Sequence, residues 1–93
     1  MKFEWDEDKN RSNIIKHGIS FQDASYVFSD PFALSISDDY SENEERWILL
    51  GKNRNETLTL VVHTFWSGNV IRFISARKAT KHERSGYTKR LSK

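Results

Sequence analysis

Thr57-Leu58-Thr59-Leu60-Val61-Val62-His63-Thr64-Phe65-Trp66, then Ser67-Gly68-Asn69, then Val70-Ile71-Arg72-Phe73-Ile74-Ser75 is the stretch that decides the fold of this chain. Two runs rich in β-branched and aromatic residues flank three residues of turn chemistry. That pattern specifies a β-hairpin, because branched side chains fit a pleated surface and glycine permits the turn backbone. Moving toward the N-terminus, Asn53-Arg54-Asn55-Glu56 reads as a turn after Arg46-Trp47-Ile48-Leu49-Leu50-Gly51. Before that, Phe32, Leu34 and Ile36 alternate with Ala33, Ser35 and Ser37. The alternation predicts a further strand, giving four antiparallel strands in meander order.

The flanking segments carry helix signals. Asp6 caps a helix through about Lys16, with Asp6, Glu7 and Asp8 at its positive end, Lys16 and His17 at its negative end, and Gly18 as the stop. Ser20 with Asp23 forms a capping box for a short amphipathic helix whose stripe is Phe21, Ala24, Val27 and Phe28, ended by Asp30-Pro31. Thr80 with Glu83 starts a third helix through about Leu91. Its large apolar groups are only Tyr87 and Leu91, so it cannot be deeply buried. The expected architecture is α+β in the order ααββββα, a four-stranded antiparallel sheet with helices mainly on one face, in one domain over residues 1–93.

Composition narrows the function classes. Ninety-three residues, 37% hydrophobic and 30% charged, suit one small core with function on its surface, neither a disordered tail nor a membrane protein. Cysteine is absent, which excludes disulfides, thiolate metal sites and thiol nucleophiles. Met1-Lys2-Phe3-Glu4-Trp5-Asp6 turns acidic with no apolar run behind it, so no signal peptide is expected and a cytoplasmic location is. The net charge is +2, but Arg72, Arg77, Lys78, Lys81, Arg84, Lys89, Arg90 and Lys93 oppose only Glu83 in the last quarter. Such a surface fits phosphate. The opposite charge gathers at Asp38, Asp39, Glu42, Glu44 and Glu45, either a solvated loop or an edge that receives a basic partner.

Arg72 lies inside an apolar strand, where an unpaired charge facing the core would be costly. It must face an open sheet surface or meet a carboxylate, such as Glu45 or another acid. Arg77 and Lys78 fall where the strand ends and the last helix begins, a place that favours anions. Glu83 is either a general base or the capping partner of Thr80. Tyr87, one turn on, is either a stacking or proton-donating group or the helix's apolar anchor, and Arg84 adds a cation beside them. Lys9, Asn13 and His17 form a polar stripe at helical spacing that suits a phosphate path. The end of a helix accounts for His17 equally well. His63 reads as a satisfied sheet histidine and His82 as exposed. Three scattered histidines without clustered acids argue against a metal site, and no cofactor is expected.

The blocks Phe3-Glu4-Trp5-Asp6, Lys16-His17-Gly18-Ile19-Ser20-Phe21, Asp30-Pro31, Ile71-Arg72-Phe73-Ile74-Ser75-Ala76-Arg77-Lys78-Ala79, Glu83-Arg84 and Tyr87 resemble the BrnT toxins of bacterial type II toxin–antitoxin modules. The resemblance covers essentially the whole chain. It implies a RelE-like fold and a ribonuclease that arrests translation. It also implies a ribbon-helix-helix antitoxin, BrnA, in an even-numbered complex, a heterotetramer, that touches DNA only through the antitoxin. Trp66 and Ser67 depart from the family, many of whose members carry an arginine before the hairpin turn.

RNA carries its own nucleophile, the 2′-OH. Cleavage therefore needs no metal, only a base, cations for the phosphoryl charge and an acid for the leaving oxygen. The candidate catalytic residues are Arg72, Arg77, Glu83, Tyr87 and His17, with Lys9, Asn13, Lys78 and Arg84 as RNA contacts. A rival reading is a non-catalytic module that holds RNA or an acidic protein on the same basic face. A third is a degenerate toxin kept for regulation.

Overall fold

The computed structural model describes residues 1–37, 46–66 and 68–91. Asp6, in extended conformation, accepts the Asp8 N–H and starts α1 (Glu7–His17). Gly18 ends it at φ 71°, in the left-handed region that disfavours a Cβ, while donating its N–H to the Ile14 carbonyl. Ser20 caps α2 (Phe21–Ala24) through the Asp23 N–H. The chain then tightens into a 3₁₀ stretch, Ser25–Ser29, where one continuous short helix was expected.

The sheet has five strands, not four. Its members are β1 (Lys2–Glu4), β2 (Leu34–Ser37), β3 (Trp47–Lys52), β4 (Leu58–Trp66) and β5 (Val70–Lys78), and α3 (Lys81–Leu91) closes the described chain. The spatial order is β1-β5-β4-β3-β2. The meander β2 to β5 is antiparallel as expected, but β1 adds in parallel beside β5, with Phe3 opposite Ile71 and Glu4 opposite Arg72. The sheet is therefore mixed, and the order begins with a strand. A three-residue strand has too little period to announce itself; its pairing comes from β5, 68 residues away in sequence.

Helices cover both faces, which corrects the one-sided expectation. On one face Ile19, Phe21, Ala24 and Val27 pack against Val61, Ile71, Phe73 and Ala76. Phe21 meets Phe73 edge-on at 5.7 Å. On the other face Tyr87 of α3 packs with Leu50, Leu58 and Leu60. Tyr87 is 3% exposed, whereas Leu91 is 43% exposed, so a single aromatic side chain holds α3 in the core. The acidic run and Ser67 lie outside the described residues. Among the described residues no helix is long and apolar enough to cross a membrane.

His63 is buried in the first core layer, as the reading of a satisfied sheet histidine required. Its ring packs edge-on against Phe28 at 4.9 Å and Phe65 at 5.6 Å, and Nδ1 lies 3.3 Å from the Val61 carbonyl. Burial pushes its pKa below 6.5, only partly opposed by Val61. The folded state thus holds neutral imidazole while the unfolded chain takes up a proton below about pH 6.5. Stability from this group is complete above that pH and is lost as pH falls toward the folded value, by up to about 1.4 kcal/mol per pH unit. Urea midpoints are expected to be level between about pH 7 and 8 and to decline below about 6.5, with His63→Gln flattening that decline.

Candidate functional site

β5 is the spine of the site. Val62 pairs with Ser75 and His63 with Phe73, which leaves Ile74 as the extra residue of a β-bulge. The bulge reverses the alternation of side chains along the strand. Arg72 and Arg77, five residues apart, would otherwise point to opposite faces; instead they stand opposite Thr64 and Leu60, on the face that carries α3. Arg72 Nη1 lies 2.6 Å from Glu4 Oε1, so the carboxylate that meets this arginine comes from β1. The alternative partner Glu45 lies outside the described residues.

At the far end of β5, Arg77 donates through both terminal nitrogens to the two oxygens of Glu83, each at 2.9 Å. Glu83 Oε1 also accepts the Thr80 N–H at 2.8 Å, and Thr80 Oγ1 accepts the Glu83 N–H at 3.2 Å. Glu83 is therefore a capping residue of α3 and an arginine anchor together. The Arg77 hydrogen bonds, outweighing burial, hold its carboxyl below the usual range, and the same contact raises Arg77.

Tyr87 donates its O–H to Asp30 Oδ2 at 2.6 Å. The same oxygen accepts the Lys52 N–H at 2.9 Å, and Oδ1 accepts the Phe32 N–H. Burial and this bond push the phenol up to about 12. Tyr87 is thus placed as an anchor. Lys78 and Arg84 are exposed, the first at the end of β5 and the second on α3.

A second group of side chains meets on the edge of β5. β1 stops opposite Arg72, so on that edge β5 has no strand neighbour beyond this point among the described residues. Asn13 of α1 fills the gap. Its amide donates to the Ala76 carbonyl at 2.7 Å and to the Ile19 carbonyl at 2.8 Å, and its oxygen accepts the Ala76 N–H at 3.1 Å. It pairs with the strand backbone as a residue of a neighbouring strand would. Asn10 completes the attachment by accepting the Phe21 N–H and donating to Gln22. The buried residues of α1 are these two asparagines, while Ile15 is 85% exposed.

The α1–β5 junction encloses a cleft of about 240 Å³ lined by Lys9, Ser12, Asn13, Lys16, His17, Ile74 and Ser75. The stripe Lys9, Asn13 and His17 is thus gathered at one place. Arg72, Arg77, Glu83 and Tyr87 do not line the cleft. Ser12, Lys16 and Ser75 were missed by the sequence reading. For the first two a signal existed, since positions 9, 12, 13, 16 and 17 follow helical i, i+3, i+4, i+7, i+8 spacing. Ser75 stands opposite Val62 beside the bulge, a placement that no local pattern in the sequence gives. Among the described residues no three His, Asp or Glu side chains cluster at metal-binding spacing.

A small α+β scaffold that arrays arginine, lysine and histidine around one strand defines a phosphate-handling protein. The family model described as ribonuclease toxin, BrnT, of type II toxin–antitoxin system matches residues 5–83, and the chain belongs to this family. Among solved structures it is similar to the crystal structure of the Brucella abortus ribonuclease toxin BrnT, at 26% identity and a TM-score of 0.67, over 87% of this chain and 99% of that one. No curated protein matches the sequence. Family membership makes the chain a ribonuclease toxin by class, with RNA as the substrate and an antitoxin as the partner.

Two consequences of this geometry are measurable as stability. Asn13→Ala leaves an N–H and two carbonyls unsatisfied in a buried place and is expected to cost about 3 kcal/mol. Asn13→Asp, which sets carboxylate oxygens against two carbonyls, should cost no less in urea denaturation. Tyr87→Phe removes one bond to a carboxylate that keeps its backbone donors, for an expected loss of about 1–2 kcal/mol.

Proposed function

We propose that this protein is an endoribonuclease toxin that cuts RNA without a metal, arrests translation by doing so, and is neutralised by a BrnA-type ribbon-helix-helix antitoxin in a heterotetramer. The observation that carries the catalytic part of this reading is His17 in the α1–β5 cleft, exposed beside Lys9 and Lys16. Imidazole is the side chain suited to proton transfer near neutral pH, and the ammonium groups suit the phosphoryl charge that develops. In the reaction the 2′-oxygen attacks phosphorus as its proton leaves, and the P–O5′ bond breaks as the 5′-oxygen is protonated. The products are a 2′,3′-cyclic phosphate and a 5′-OH.

The other candidates take different roles in this reading. Glu83 is held as a carboxylate by Arg77 and Thr80, which makes it a weak proton acceptor, and Tyr87 keeps its proton on Asp30. Arg72 and Arg77 supply positive charge along the sheet face that carries α3. Each guanidinium has five N–H donors, more than one carboxylate uses, so each can attract phosphate without leaving its partner. Lys78 and Arg84 extend that field. Asn13 positions α1.

The test is incubation of the antitoxin-free protein with total RNA in EDTA, with and without ribosomes. Cleavage is expected from the wild type. His17→Ala should slow it by about 10²–10⁴-fold, and Arg77→Ala should weaken it while leaving a folded protein. Intact RNA under both conditions from folded wild type would overturn the reading in favour of a non-catalytic binding module or a degenerate toxin.

A further inference from the structure

Lys9 and Lys16 differ from the arginines of β5 in one respect that charge counting hides. Arg72 and Arg77 face Glu4 and Glu83, but among the described residues no carboxylate pairs with either lysine. The α1 cleft therefore holds two cations that no described carboxylate neutralises, side by side in a concave place. Lys9, Ser12 and Lys16 occupy positions i, i+3 and i+7 of one helix face, so the two ammonium stems rise about 10 Å apart along the axis, with a hydroxyl between them. One small anion requires both flexible stems to bend toward it, whereas a run of backbone carrying several phosphates meets each stem where it rises.

The shape of the cleft narrows the ligand further. It lies between a helix and a strand edge, in a molecule whose longest dimension is 36 Å. Protein modules that recognise duplex RNA lay a long surface across about 16 base pairs. A concave slot of about 240 Å³ takes a single strand instead. Its lining contains no Phe, Tyr or Trp on which a base could stack, so contacts fall on phosphate and sugar. Asn13 fixes α1 against β5, so the slot is already formed before RNA arrives.

We infer that the α1–β5 cleft is a track for single-stranded RNA backbone, in which Lys9 and Lys16 bind separate phosphates and Ser12 donates its hydroxyl to the phosphoryl oxygens between them. This rests on the ribonuclease reading for the identity of the ligand and adds Ser12, Lys16 and strand selectivity to it. Preference among base sequences at the cleft should be weak.

The test uses a fluorescent 2′-O-methyl oligonucleotide, which lacks the nucleophile and so reports binding without cleavage, alone and annealed to its complement. Anisotropy is followed across a salt series for wild type, Lys9→Ala, Lys16→Ala, the double variant, Ser12→Ala and the α3 control Lys89→Ala. All the substituted side chains are exposed, and circular dichroism checks the fold. Each cleft lysine removed should lower the slope of log Kd against log salt by about 0.7, and Ser12→Ala should weaken binding without changing that slope. Lys89→Ala should match wild type, and the duplex should bind at least about tenfold more weakly than the single strand. A double variant that binds as tightly as wild type, equal affinity for duplex, or no binding of the single strand by wild type would overturn the inference. Turnover on total RNA is scored separately. Cleft-dependent binding by a protein that cuts nothing would sink the ribonuclease reading and leave the track standing.

Discussion

The carboxamide of Asn13 against the backbone of Ala76 is the contact on which the arrangement of the molecule turns. A sheet edge buried without partners would leave peptide groups unsatisfied, at roughly 1–3 kcal/mol each, and β1 covers the edge of β5 only as far as Arg72. Asn13 meets that cost with a side chain in place of a strand. Doing so dictates how α1 rolls. The helix turns its asparagines inward and leaves Ile15 in solvent, the reverse of an ordinary amphipathic helix. The same roll brings Lys9, Ser12, Lys16 and His17 to the strand edge. One hydrogen-bonding requirement thus serves both the fold and the cleft.

The bulge at Ile74 is the second constraint. It places Arg72 and Arg77 on one face, so one inserted residue gathers the arginines of β5 on the side that carries α3. The two groups of cations are then handled differently. The arginines are matched by carboxylates from β1 and α3, which fixes their geometry and moderates their field. Among the described residues no carboxylate pairs with Lys9 or Lys16. The cleft sets these two ammonium groups in a concave place beside the His17 imidazole.

α3 is joined to the sheet at two points, the Arg77–Glu83–Thr80 cluster at its start and Tyr87 on Asp30 further along. Asp30 accepts the Lys52 N–H near the end of β3 and so closes the sheet where β2 has not yet begun. From there it also meets Tyr87 across the sheet. Most of the helix is solvated and basic, as its sequence required. Glu83 and Tyr87, candidates for acid and base by residue type, are the two side chains that make these contacts.

Local rules read from the sequence account for the caps at Asp6, Ser20 and Thr80, the stop at Gly18, the hairpin at Gly68-Asn69, the meander of β2 to β5 and the basic end. Each depends on residues a few positions apart, and the family blocks around His17 and Arg77 made the class of protein legible as well. What no local rule contained was the parallel β1, the bulge at Ile74, the placement of α3 on the second face and the inward turn of Asn13. The bulge arises within the β4–β5 hairpin, and the others are pairings across 57 to 68 residues, as Tyr87 with Asp30, Asn13 with Ala76 and Arg72 with Glu4 record. Local chemistry along the chain specifies which elements form and that the C-terminal quarter is cationic. Which cations are neutralised and which line a cleft follows from the folded arrangement, because it depends on the partner each unsatisfied backbone or charged group meets when the chain closes.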